Sequence, residues 1–181
     1  MTGFAPLVTD RLVLRLPRPA DAPAIQRFAG DERVARMTAA IPYPYPDGAA
    51  EAWIAKCIRQ AKSGDGWQLA VAGRHDDILI GAVRLEPEVA GAPPELGYWI
   101  AVPHWGRGFA TEAARRLLAF GFDAGGYGDV RSHALADNAA SRRVLEKVGL
   151  EFDGLATVEH RGRNAVAAFY ATTRDRWSRH G

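Results

Sequence analysis

The chain has 181 residues, 48% of them apolar and 24% charged, which suits one globular domain, 1–181, with a substantial core. A net charge of +2 with no basic run argues against a nucleic-acid partner, and the lone Cys57 excludes an intramolecular disulfide or a C-x-x-C metal site. Five histidines show no metal-ligand spacing and no stretch approaches ~18 apolar residues, so a cytoplasmic protein with no metal and no membrane partner is expected.

In chain order, Leu12, Leu14 and Leu16 alternate with Val13 and Arg15 and predict a first strand that stops at Pro17. A helix is expected over Pro19 to Ala29, with Pro23 tolerated in its first turn and Gly30 at its end; a shorter helical piece follows over Asp31 to Met37. Ile41 to Gly48 carries alternating prolines around Tyr43 and Tyr45, and reads as a stiff spacer with two amphipathic rings. Asp47 is placed to cap a helix over Ala49 to Ser63, in which Ala52, Trp53, Lys56 and Cys57 share a face and the thiol is buried. Gly64-Asp65-Gly66 closes that helix. Trp67 to Ala72 and Ile78 to Glu86 predict antiparallel strands joined by Gly73 to Asp77, with His75 in solvent, and Pro87 to Pro94 is a loop.

The most informative stretch runs from Glu95 to Phe122. A strand over Glu95 to Ala101 ends near Pro103, which cannot donate to a sheet ladder. Gly106-Arg107-Gly108-Phe109-Ala110 comes next, then a helix over Thr111 to Phe122 with Ala110, Ala113, Ala114, Leu117, Leu118 and Gly121 on one face. Glycines ahead of a helix expose N–H groups that have no intrahelical acceptor. Together with the helix dipole they make a seat for an anion such as phosphate. Neither G-x-x-x-x-G-K-[ST] nor a full G-x-G-x-x-G is present, so on spacing alone an ordinary tight turn is an equal reading. A strand over Val130 to Ala136, a helix from near Asn138 to Gly149, and a hairpin of Phe152 to His160 with Ala165 to Thr173 complete a mixed α/β domain around one sheet.

Glu95-Leu96-Gly97-Tyr98-Trp99-Ile100, followed by His104-Trp105-Gly106-Arg107-Gly108-Phe109-Ala110-Thr111-Glu112-Ala113, resembles the acetyl-CoA motif of GNAT N-acetyltransferases. The similarity is greatest to the ribosomal-protein-alanine (Rim-type) branch. Asp137-Asn138-Ala139-Ala140-Ser141-Arg142-Arg143-Val144-Leu145-Glu146-Lys147-Val148-Gly149-Leu150 is similar to that branch's second signature, and Thr9 to Arg15 to its first strand. The resemblance covers nearly the whole chain. It implies a GNAT fold: a single mixed, mostly antiparallel sheet flanked by helices, in which the Glu95 and Val130 strands run parallel and splay to form the acyl-CoA cleft.

The implied reaction is direct, sequential acetyl transfer from acetyl-CoA to a primary amine, on a protein N-terminus or a small molecule. The alternative is a non-catalytic acyl-CoA sensor or interaction domain. For the cofactor, the main chain of Gly106, Arg107, Gly108, Phe109, Ala110 and Thr111 is expected to grip the pyrophosphate, and an N–H among Ile100, Ala101 and Val102 to polarise the thioester. Arg107 adds charge or is simply solvated. Glu95 is the candidate general base, its pKa raised by burial, against a plain strand-end carboxylate; Glu86 and Glu88 rank below it. Asn138 caps a helix and, in the family, contacts the cofactor. Ser141, three residues on, donates to the departing sulfur or is an ordinary first-turn polar residue. Two departures stand out: Leu145 where many GNAT enzymes place a tyrosine acid, and Trp105 where the motif prefers Gln or Arg. Tyr43, Tyr45 and Trp99 are expected to wall the acceptor site, together with the Arg161 to Asn164 turn. The reading leaves a homodimer open.

Overall fold

The computed structural model describes residues 4–89 and 91–179, so residue 90 of the expected Pro87 to Pro94 loop lies outside the described residues. Among these residues, eight strands form one sheet: β1 (Leu7–Val8), β2 (Leu12–Arg15), β3 (Trp67–Gly73), β4 (Leu79–Pro87), β5 (Pro94–Ile100), β6 (Asp129–Leu135), β7 (Glu151–His160) and β8 (Arg163–Thr173). Their spatial order is β1-β2-β3-β4-β5-β6-β8-β7. Every neighbouring pair is antiparallel except β5 and β6, which are parallel. Among the described residues, six α-helices complete the fold: α1 (Ala22–Ala29), α2 (Glu32–Ala35), α3 (Ala49–Ser63), α4 (Phe109–Asp123), α5 (Ala139–Lys147) and α6 (Arg174–Trp177).

Side-chain alternation along the strands builds a separate core on each face of the sheet. On one face Leu69, Val83, Leu85 and Leu96 meet Ala113, Leu117 and Leu118 of α4 and Leu145 of α5. On the other, Ala70 and Leu79 meet Ile25 of α1 and Ala50 and Ile54 of α3. Among the described residues, no helix is long and apolar enough to cross a membrane.

Local corrections follow from packing. Pro19–Asp21 forms a 3-10 turn, and the α-helix starts only at Ala22. Asp47 does not cap α3. Gly48 is the cap residue, in the left-handed region at φ 79°, and no side chain bonds to the helix start there. The face that α3 buries is Ala50, Ile54 and Cys57, while Ala52 and Lys56 are exposed. Both stripes have helical spacing, and contact with α1 selects the one whose side chains are small or apolar. Helix α4 starts at Phe109, two residues earlier than its apolar pattern suggested, because Gly108 turns the chain directly into it.

Candidate active site

The loop entering α4 supplies the first part of the site. Gly106 and Gly108 have φ of 72° and 79°, conformations that side chains rarely adopt, and they turn the chain so that the first N–H groups of α4 face outward. A Cβ at Gly106 would meet nothing within 4 Å, and one at Gly108 would meet only Arg11 Nη2 at 3.6 Å. The outer face of the turn is therefore open. Phe109 is buried beneath it, with the guanidinium carbons of Arg11 and Arg107 4.6 and 4.9 Å from its ring centre. Thr9 Oγ1 and Arg11 Nε donate to Glu112 at 2.6 and 2.7 Å, which ties the first turn of α4 to the β1–β2 connection. Arg107 is exposed, so its charge lies at the lip of the turn.

The second part is the split in the sheet. Strands β5 and β6 pair only at Glu95 and Arg131, and beyond that bridge they diverge. Ser132 Oγ spans the start of the gap by donating to the Leu96 carbonyl at 2.7 Å. The Ala101 N–H is bonded to the Ile80 carbonyl at 2.8 Å, and the Ala101 carbonyl accepts from His104 N at 2.8 Å. Ala101 thus drops out as a donor to any ligand. In an antiparallel ladder bonds alternate sides, so the N–H of Ile100 faces the gap. Trp105, the departure from the family motif, donates its indole N–H to the Ile100 carbonyl at 2.6 Å and closes the end of β5.

On the α1/α3 face of the sheet, a cavity of about 910 Å³ opens beside this split. Its floor is a polar row drawn from adjacent strands. Glu86 and Glu95 lie directly opposite each other across β4 and β5, a like-charge pairing that needs a cation. Arg84 supplies it, with Nη2 2.5 Å from Glu95 and Nη1 3.4 Å from Glu86. Gly97 makes room for that arginine, since a Cβ there would lie 2.5 Å from Arg84 Nε. Glu86 also accepts from Gln60 and Gln68 at 2.7 and 2.8 Å. On the far side of Glu95, His133 Nδ1 lies 3.3 Å from Oε2. Burial pushes the Glu95 carboxyl up, as expected, but His133 and Arg84 together outweigh it and hold the group below the usual carboxylate range. The expectation of a raised pKa is overturned by these two partners. The same contact raises His133 against the lowering effect of its burial.

Across the gap, Asn138 Oδ1 caps α5 by accepting from Ser141 N at 3.1 Å. The cap uses only the oxygen, so the amide nitrogen of the same side chain is not consumed by it. Ser141 lines the cavity, its Oγ 2.9 Å from the Tyr98 hydroxyl, which also donates to the Ser141 carbonyl at 3.0 Å. Burial pushes the Tyr98 phenol up.

Residues 11–151 match the sequence profile of the acetyltransferase (GNAT) domain family. The chain belongs to the GNAT acetyltransferases. The uncharacterised N-acetyltransferase YoaA of Bacillus subtilis strain 168 is 30% identical over 162 residues, 84% of this chain and 86% of its own length. A GNAT-family acetyltransferase from Bacillus anthracis has the same fold, with a TM-score of 0.83 at 20% identity over 94% of this chain and 99% of its own. Mycobacterium smegmatis RimJ, solved with CoA-disulfide, gives 0.79 at 21% identity over 95% and 91%. GNAT membership makes acetyl-CoA the acyl donor and N-acetyl transfer the reaction. The open glycine turn and the unpaired edge of β5 fit such a donor, because an extended pantetheine amide needs strand backbone and a pyrophosphate needs free N–H groups.

Within this GNAT frame the structure brings Glu95, Ser141, Tyr45 and Trp99 to one cavity. Tyr43 is not among its lining residues. It is 46% exposed, while Tyr45 packs against the α1/α3 core and holds the loop there. Arg161 in the β7–β8 turn donates to the carbonyls of Ala35 and Ile41 at 3.2 and 2.8 Å, so it braces the wall of the cavity. Arg84 and His133 were missed from sequence. Both lie on predicted strands, but the register that sets them on either side of Glu95 is a non-local property.

Proposed function

We propose that this GNAT enzyme acetylates the free α-amine of a peptide or protein N-terminus, with a compact primary amine as the nearest competitor. The observation that carries the reading is the cavity beside the β5–β6 split, with an ionised Glu95 in its floor, Tyr45 and Trp99 on its walls and Ser141 at the gap. A cationic amine is drawn toward the carboxylate, and apolar walls hold the substituent next to it. Gly106 to Thr111 hold the donor's pyrophosphate, the Asn138 amide nitrogen adds a polar contact, and the Ile100 N–H polarises the thioester carbonyl. Attack is direct, with no acyl-enzyme. Ser141 is placed to deliver a proton to the leaving sulfur. The likeness in fold to RimL, a ribosomal L7/L12 alpha-N-protein acetyltransferase, supports the N-terminal acceptor.

The test is thiol release from acetyl-CoA with a panel of peptides bearing free N-terminal Ala, Ser or Met, the same peptides N-blocked, and phenethylamine. Release with free but not blocked peptides is expected. Turnover of phenethylamine alone would move the assignment to small amines. Release no faster than without enzyme, for every amine, would sink the acetyl-transfer reading.

A further inference from the structure

Resting on that reading, we infer that His133, rather than Glu95, takes the proton from the acceptor ammonium, and that Glu95 is its positioning residue. Two contacts fix the imidazole. Its Nδ1 faces Glu95 Oε2 at 3.3 Å. Its ring lies against Phe169, the residue opposite it on β8, with centroids 5.5 Å apart and planes 29° apart. The ring also lines the cavity that holds Tyr45, Trp99 and Ser141, with 31% of the side chain still exposed. Among the described residues Nε2 has no hydrogen-bond partner. With Nδ1–H directed at the carboxylate, the neutral ring carries its lone pair on Nε2, the nitrogen left for substrate.

Glu95 itself is badly suited to be the base. Its oxygens are taken by Arg84 and His133, which stabilise the ionised form and make it reluctant to accept a proton. The charged groups facing His133 are Glu95 from β5, Arg84 from β4 and Glu88 just beyond it, while Phe169 from β8 is neutral.

His133 Nε2 removes one proton from the ammonium, directly or through one water. The freed nitrogen pair forms the C–N bond at the thioester carbon, and the C–S pair departs on sulfur. Sulfur takes the nitrogen's second proton by way of Ser141, and His133 returns its proton to solvent.

Three measurements test this. With the fastest amine of the panel, His133→Gln should lower kcat/KM by roughly 10²–10³-fold, while calorimetry shows unchanged acetyl-CoA affinity. In the wild type, kcat/KM should rise with pH through the His133 titration, and Glu95→Gln should move that limb to lower pH because the imidazolium loses its partner. Nitrogen-15 NMR of the wild type without any ligand should show the Nδ1–H tautomer for neutral His133, and a pKa that falls in Glu95→Gln. A His133→Gln enzyme with wild-type rate, an acid limb unmoved by Glu95→Gln, or an Nε2–H tautomer would each overturn the assignment. A wild type that acetylates nothing would overturn the acetyl-transfer reading, and this assignment with it. The NMR arm stands even where His133→Gln fails to fold.

Discussion

Three side chains illustrate how little a residue type says without its surroundings. Cys57 is 1% exposed, with Gln68 Oε1 3.9 Å from its sulfur, and burial pushes the thiol up to about 12. A thiol reagent at pH 8 should leave the native protein unmodified and titrate one group after denaturation; rapid labelling of native protein would show that the helix α3 face is not closed. The Glu95–His133 pair sets a pH signature for stability. Glu95 is lowered, so its contribution is complete above the unfolded carboxylate value and lost as pH falls through the folded one. His133 is raised, so its contribution is complete below the unfolded imidazole value and lost as pH rises through the folded one. The difference in unfolding free energy between wild type and Glu95→Gln should therefore peak between about pH 4.5 and 6.5, on the order of 1 kcal/mol, and shrink on both sides. Urea melts across pH would check this, and a flat difference would show that the two groups are not coupled.

At the scale of elements, α4 matters twice, once for each end of its job. Its inner face, Ala113, Ala114, Leu117 and Leu118, is fully buried and fixes the helix against the sheet. Its N-terminus is left open by the glycine turn, so what the helix offers a ligand is backbone rather than side chain. Gly108→Glu puts a side chain and a negative charge on that seat and strains a left-handed position. Calorimetry should show at least a tenfold loss of acetyl-CoA affinity with the fold intact by circular dichroism; unchanged affinity would place the pyrophosphate elsewhere. At the start of α3 the same left-handed geometry recurs. Gly48 has φ 79° and open space around a Cβ, so Gly48→Ala should cost about 1 kcal/mol by strain alone, read as a lower melting temperature.

Over the whole molecule, the N-terminal half is knitted by charge as well as by its core. Arg15 of β2 is 3% exposed and donates to Asp21, itself 7% exposed, through two bonds of 2.7 and 2.9 Å. It also reaches Asp77 of the β3–β4 connection at 2.6 Å. Asp21→Ala removes two bonds from a buried guanidinium, leaves it only the half-exposed Asp77 as carboxylate partner, and should lower stability by about 3 kcal/mol in urea titration, far more than loss of an exposed pair such as Arg176–Glu151 would. The sheet divides at β5 and β6 into a five-stranded and a three-stranded part, and the cavity opens at that division. Several features were legible in the sequence because they are written in neighbouring residues: the strand, glycine turn and helix from Glu95 to Phe122, the Asn138 cap, the final hairpin, and Glu95 with Ser141 as candidates. The Glu95 environment, the loss of Ala101 as a donor and the divergence of Tyr43 from Tyr45 were not. Local spacing decides which way a strand residue points and where a helix can begin. Only the three-dimensional packing decides which residues of other strands meet it, because register and the pairing of distant segments depend on contacts among the whole chain. That is why the glycine turn could be read from a dozen consecutive residues, and why the His133–Glu95 contact emerged only when β6 lay beside β5.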